Sequence, residues 1–143
     1  MSYVDTAQLV ARYGEPMLVA LTDRGPVPSG TWDPETVERA IIDTAALIDG
    51  HLAARYRLPL AEVPPLLRDL AGAIAIWKLH AHKPDDKIEA DYRDARRTLD
   101  EIAAGRVRLP VGAGAEPEGT GGSGARITDR ARPFTERNLK GFV

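Results

Sequence analysis

Asp33–Tyr56, DPETVERAIIDTAALIDGHLAARY, is the stretch on which the reading of the fold turns. Asp33 is a capping residue, Pro34 suits the first helical position, and Glu35 adds an early acid next to the positive end of a helix. Behind that start, Val37, Ile41, Ala45, Ile48 and Leu52 recur at steps of four and three, the spacing of one helical face. The pattern predicts a long amphipathic helix running to about Tyr56. Gly50 falls inside it at a cost of about 1 kcal/mol relative to alanine, which points to a close-packed neighbour at that position.

Working outward, Arg57-Leu58-Pro59-Leu60 leaves the helix in extended form, because a residue before proline is pushed away from helical angles. Pro64-Pro65 opens a second helix that carries Leu67, Leu70, Ala71, Ile74, Ala75 and Trp77 around much of its circumference, so it is expected at the centre. Gly72, Ala73 and Ala75 leave room for neighbouring backbones. Pro84, Asp85 and Asp86 begin a third helix with Ile88, Tyr92, Ala95, Leu99 and Ile102 on one side, ended by Gly105. Its other side offers charge pairs four apart (Lys87 with Asp91, Glu89 with Arg93, Arg96 with Asp100, Arg97 with Glu101), the mark of a solvated face.

Toward the N-terminus, Asp5 or Thr6 caps a short helix through about Arg12, with Leu9, Val10 and Tyr13 on its apolar side and Gly14 stopping it. Another short helix follows, with Pro16 in its first turn and Met17, Leu18 and Leu21 facing inward. Gly25, Pro26, Pro28, Ser29 and Gly30 make the next connection a surface loop, a second candidate contact between Asp23 and Asp33. Its Trp32 is expected to pack on Thr36 or Val37 at the helix entrance.

The chain has 143 residues, a net charge of −2 and no cysteine, which fits one compact domain with an appendage and excludes disulfides and thiol chemistry. The opening residues show no basic region followed by an apolar run, and no apolar stretch approaches the roughly 20 residues that cross a bilayer. A soluble protein without membrane contact is expected.

The composition changes after Leu109-Pro110. Val111–Ala125 reads VGAGAEPEGTGGSGA, with almost no bulky side chain, and cannot bury enough apolar area to offset the entropy of ordering it. Bulk then returns. Between Arg126 and Lys140 there are five basic residues (Arg126, Arg130, Arg132, Arg137, Lys140) against Asp129 and Glu136, and both phenylalanines of the chain are Phe134 and Phe142. A flexible linker followed by a basic segment with aromatic anchors has the composition of a peptide that orders on a partner. Roughly fifteen residues of such coil span on the order of 20 Å, enough to reach a neighbouring subunit. Folding back on its own helical body is the alternative. Nucleic-acid binding through the arginines lacks a recognition helix or stacking aromatics.

Catalytic signatures are missing. His80 and His82 are two apart and so lie on different sides of a helix, and His51 does not face Asp49, its neighbour but one. The glycines from Gly112 to Gly124 lack the Gly-Lys-Ser/Thr ending of a phosphate loop, and Asp85 and Asp86 suit a first helical turn. No catalytic residue, metal site or cofactor is expected.

The fold expected is mainly α: a small bundle of three main helices plus short N-terminal helices, with an extended C-terminal arm. Residues 1–108 form the body, 109–125 the Gly-rich linker and 126–143 the docking arm. Several stretches resemble the small connector proteins of Mu-like phages: Ser2-Tyr3-Val4-Asp5 with Leu9 and Gly14, Ile42–Gly50, Tyr56-Arg57-Leu58-Pro59-Leu60, and Phe134-Thr135-Glu136-Arg137-Asn138-Leu139-Lys140-Gly141-Phe142. The resemblance implies a head–tail connector (adaptor) subunit in the virion neck, assembled in the host cytoplasm. Such subunits form a ring beneath the portal, typically twelvefold, and join the DNA-filled head to the stopper and tail. It implies the portal protein, a stopper or tail-completion protein and further copies of the chain as partners, with DNA passing through the lumen. Carried over residue by residue, the interface candidates are Phe134, Leu139, Lys140, Gly141 and Phe142, with Arg126, Arg130, Arg132 and Arg137 as polar contacts. Tyr56 and Arg57 are candidates to face a neighbour or the lumen. A small DNA-binding or regulatory helical protein, and a stopper or tail-completion protein, are the competing readings.

Overall fold

The computed structural model describes residues 1–112 of the chain. Five helices follow one another, α1 (Thr6–Tyr13), α2 (Glu15–Thr22), α3 (Pro34–Leu52), α4 (Pro65–Leu79) and α5 (Asp86–Ala103), and there is no strand among the described residues. The mainly helical class expected from the periodicities is what forms.

Local chemistry sets most of the helix starts. The Asp5 carboxylate accepts from the Gln8 N–H at 2.8 Å while the Gln8 side chain accepts from the Asp5 N–H at 3.1 Å, a reciprocal capping box on α1. Asp33 accepts from the Glu35 N–H and the Thr36 hydroxyl, and Asp85 from the Ile88 N–H at 2.9 Å. α3 ends at Leu52 rather than near Tyr56. The Arg55 and Tyr56 N–H groups both turn back to the Leu52 carbonyl, which tightens the last turn and swings the Tyr56 side chain into the core, where it is 2% exposed. The chain then crosses Leu58–Pro59 through a cis peptide bond.

α4 is the central helix. It packs on both α3 and α5, which also touch each other, while α1 sits on α2 and α4. Every residue from Leu70 to Ile76 is buried, so the broad apolar circumference has partners on all sides. Gly72 has a specific job. A Cβ there would lie 3.0 Å from the Arg12 guanidinium, which crosses α4 to reach the Asp69 carboxylate at 2.7 Å and the Asp69 carbonyl at 3.1 Å. Gly50 differs from expectation. A Cβ there would meet nothing within 4 Å, because this glycine faces outward and no neighbour packs on it.

The outer face of α5 keeps two of its four expected pairs, Lys87–Asp91 and Glu89–Arg93. The other two give way to different partners. Arg96 donates to the Tyr92 hydroxyl at 3.0 Å, Asp100 lies 3.2 Å from His51 on α3, and Arg97 pairs with Asp94 at 3.2 Å. Tyr92 is itself fixed by stacking on Trp77, with ring centroids 4.0 Å apart and planes within 7°.

Candidate interaction surfaces

The candidate arm residues Arg126, Arg130, Arg132, Phe134, Arg137, Leu139, Lys140, Gly141 and Phe142 lie outside the described residues. What the structure does show is how the chain is held as it leaves the body. α5 closes with Gly105 at φ +76°, its N–H bonded to the Ile102 carbonyl at 3.0 Å and the Arg106 N–H to the Glu101 carbonyl at 2.9 Å. These crossed bonds form a Schellman motif, which turns the backbone out of the helix axis. The chain then runs back toward the end of α3. There the Leu109 side chain is buried and its N–H donates to the Tyr56 hydroxyl at 3.1 Å. Val111 also packs against the core. Leu109, expected to begin the linker, is therefore clamped to the body.

Tyr56 was a candidate to face a neighbour or a lumen, and its burial rules that out. Its ring fills the core and its hydroxyl holds the exiting segment, a role with no signal in the local sequence because its partner is fifty-three residues away. Arg57 is exposed.

The loop between α2 and α3 is an ordered projection. At its base the buried Thr22 hydroxyl donates to the Leu18 carbonyl at 2.8 Å and accepts from the Asp33 N–H at 2.9 Å. Inside it, the Asp23 carboxylate accepts from the Ser29 N–H at 2.9 Å and the Gly30 N–H at 3.0 Å. These hydrogen bonds hold the Asp23 carboxyl below its usual pKa. Arg24 secures the flank, donating to the Leu21 and Leu79 carbonyls at the ends of α2 and α4. Trp32 is partly buried and packs against the core. The loop tip Pro26-Val27-Pro28 points away from the body, with Val27 79% exposed.

A third surface runs along α3. Ile42, 59% exposed, shares one row of the helix with Ala46 and Gly50, and Ala54 in the turn just past α3 continues it; all are exposed. A shallow depression of about 350 Å³ lies on each side of the row, one reaching Met1 and Ser2, the other reaching His51 and Ala103, and they meet at Ala46.

Two of the three histidines have structural partners, and His82 is exposed. His51 Nδ1 lies 2.8 Å from the Leu47 carbonyl and Nε2 faces Asp100, bridging α3 to α5, while His80 Nδ1 lies 2.8 Å from the Ile76 carbonyl. Among the described residues no three His, Asp or Glu side chains gather as a metal site, and no helix is long and apolar enough to cross a membrane.

The chain is 38% identical to gene product J of Escherichia phage Mu over the full length of both. It is 29% identical to the Mu-like prophage FluMu protein gp36 of Haemophilus influenzae, over 99% of this chain and 98% of that one. The family model described as Bacteriophage Mu, Gp36 matches residues 3–127, which takes in the whole helical body and the Gly-rich stretch after it. The chain belongs to the phage Mu Gp36 family.

Proposed function

We propose that this phage protein is a structural virion component, a head–tail connector or adaptor subunit that forms a ring below the portal and links the DNA-filled capsid to the stopper and tail. The observation that carries the reading is the clamped exit at Leu109 and Tyr56, from which a Gly-rich stretch leads to a basic segment containing both phenylalanines of the chain. A rigid root gives such a segment a fixed starting point, so that reach and direction are set by the body. The ordered loop with Val27 at its tip and the apolar row on α3 add two outward surfaces of the kind a ring subunit needs for repeated contacts with its neighbours. In this reading the partners are the portal, the stopper or tail-completion protein and further copies of the chain, and the place of action is the virion neck.

Native mass spectrometry of the protein, alone and with the portal of its own phage, tests this. A defined ring that forms on the portal, and that is lost when the chain is cut after Gly124 or when Phe134 and Phe142 are both replaced by alanine, is the expected result. A full-length chain that stays off that portal under all conditions overturns it.

A further inference from the structure

The outward row of α3 is an apolar helix face with no cover among the described residues, and both phenylalanines of the chain lie beyond them, at Phe134 and Phe142. Its acidic rim narrows what can cover it. Glu38 and Asp43 stand exposed beside the row, and Asp100 of α5 borders the His51 depression with its side chain 65% exposed. The basic groups nearby have acidic partners: Arg39 is engaged by Glu35 at 2.8 Å, the Met1 ammonium lies 4.0 Å from Asp49, and His51 lies 3.2 Å from Asp100. An occupant should therefore be apolar and basic. The segment from Arg126 to Val143 has Ile127, Phe134, Leu139 and Phe142 together with the five basic residues and only two acids.

Reach agrees with chemistry. The described chain ends at Gly112, three residues past the Leu109 clamp on Tyr56, at the C-terminal end of α3. From Leu52, the last residue of α3, to Ile42 is ten helical residues, or roughly 15 Å at 1.5 Å per residue. A Gly-rich coil of thirteen residues, the length and composition of 113–125, has a root-mean-square span of about 20 Å, enough to cover that distance. A tether slightly longer than its span keeps the effective concentration in the millimolar range, which a second copy of the chain supplies only at millimolar protein.

We propose that the α3 face seats the chain's own segment Arg126–Val143 while the subunit is free. The proposal rests on reading that segment as the docking arm and adds where it waits. A partner with a better site for the phenylalanines draws the arm off by competition, and the same exchange uncovers Ile42 and Ala46 for contact between subunits. The apolar face is thus covered until assembly begins.

The test uses the full-length protein at micromolar concentration, with its monomeric state checked by light scattering. Trypsin cleavage at Arg126, Arg130 and Arg137 reports arm release; the bond after Arg132 is protected by Pro133. With a millimolar effective concentration against a dissociation constant of about 0.1 mM, the seated arm is cleaved about tenfold more slowly than a free one. Ala46→Arg, which puts a cation on the exposed face without touching the core, should restore fast cleavage, as should Phe134→Ala with Phe142→Ala. Unchanged far-UV circular dichroism and melting temperature show that each variant keeps the body. A photoreactive benzoylphenylalanine in place of Phe142, in mixed isotopically light and heavy chains, should attach to peptides of residues 41–54 within single chains.

Equal cleavage of wild type and Ala46→Arg overturns the proposal, as do adducts that form only between chains or on other surfaces. Portal binding is scored separately. A protein that binds portal with an unprotected arm loses this inference and keeps the connector reading, and a protected arm on a chain that ignores the portal does the reverse.

Discussion

The Tyr56 hydroxyl accepts the backbone N–H of Leu109 at 3.1 Å, joining the turn after α3 to the segment that leaves α5. Both groups are buried, so the bond stands where water cannot substitute for either partner. Removing only the hydroxyl leaves a buried donor without an acceptor. Tyr56→Phe should cost about 1–3 kcal/mol, the penalty for such an orphan. Urea unfolding measures it, and hydrogen exchange should show loss of protection centred on Leu109. A stability within error of wild type would mean that the exiting segment is not held this way.

Gly105→Ala should destabilise by about 1–2 kcal/mol for a left-handed alanine alone. The added Cβ would also clash with the Arg55 guanidinium, which must move aside. A paired Gly105→Ala and Arg55→Ala variant separates the two contributions. Relief of part of the loss in the double variant is the expected result, and strict additivity would deny the contact.

Gly50→Ala should do the opposite. The position is helical, exposed and open on the side where the methyl would point. Alanine there should raise stability by about 0.8–1 kcal/mol. Chemical denaturation decides it, and a loss would reveal a neighbour packed on this glycine.

The α2–α3 loop should be acid-sensitive through Asp23. Hydrogen bonds from Ser29 and Gly30 hold its folded pKa below the usual 3.8, so the ionised form is the one the folded loop prefers. The contribution is fully present above pH 3.8 and is lost as the pH falls through the lower folded value. The Ser29 and Gly30 amides should therefore stay protected through the mildly acidic range and open only below it, followed by NMR. Asp23→Ala should leave both amides unprotected at every pH.

Which of these features could be read in advance depends on how far apart in sequence the partners lie. The start of α3 needed only Asp33, Pro34 and Thr36, and the end of α5 only Gly105, because capping is settled within four residues. The α5 face shows the limit. Lys87–Asp91 formed as spaced, but Asp100 turned to His51 on another helix, since a tertiary partner at 3.2 Å outcompetes an exposed pair that contributes only about 0.3–0.5 kcal/mol. Gly50 was misread for the same reason: a glycine inside a helix pattern records a missing side chain but does not say what lies outside it.

Helix periodicity, caps and the change of composition after Leu109 were determined by the sequence itself, because each rests on contacts between near neighbours or on the lack of anything to bury. The resemblance to Mu-like connectors was carried by local strings of residues and needed no coordinates. The burial of Tyr56, the stacking of Trp77 on Tyr92, the passage of Arg12 over Gly72 and the open apolar row from Ile42 to Ala54 were decided only by the tertiary structure. Each depends on which helix faces come together, and that choice is made by the packing of the whole core, where α4 must be covered on every side and α3 is left with one face to spare.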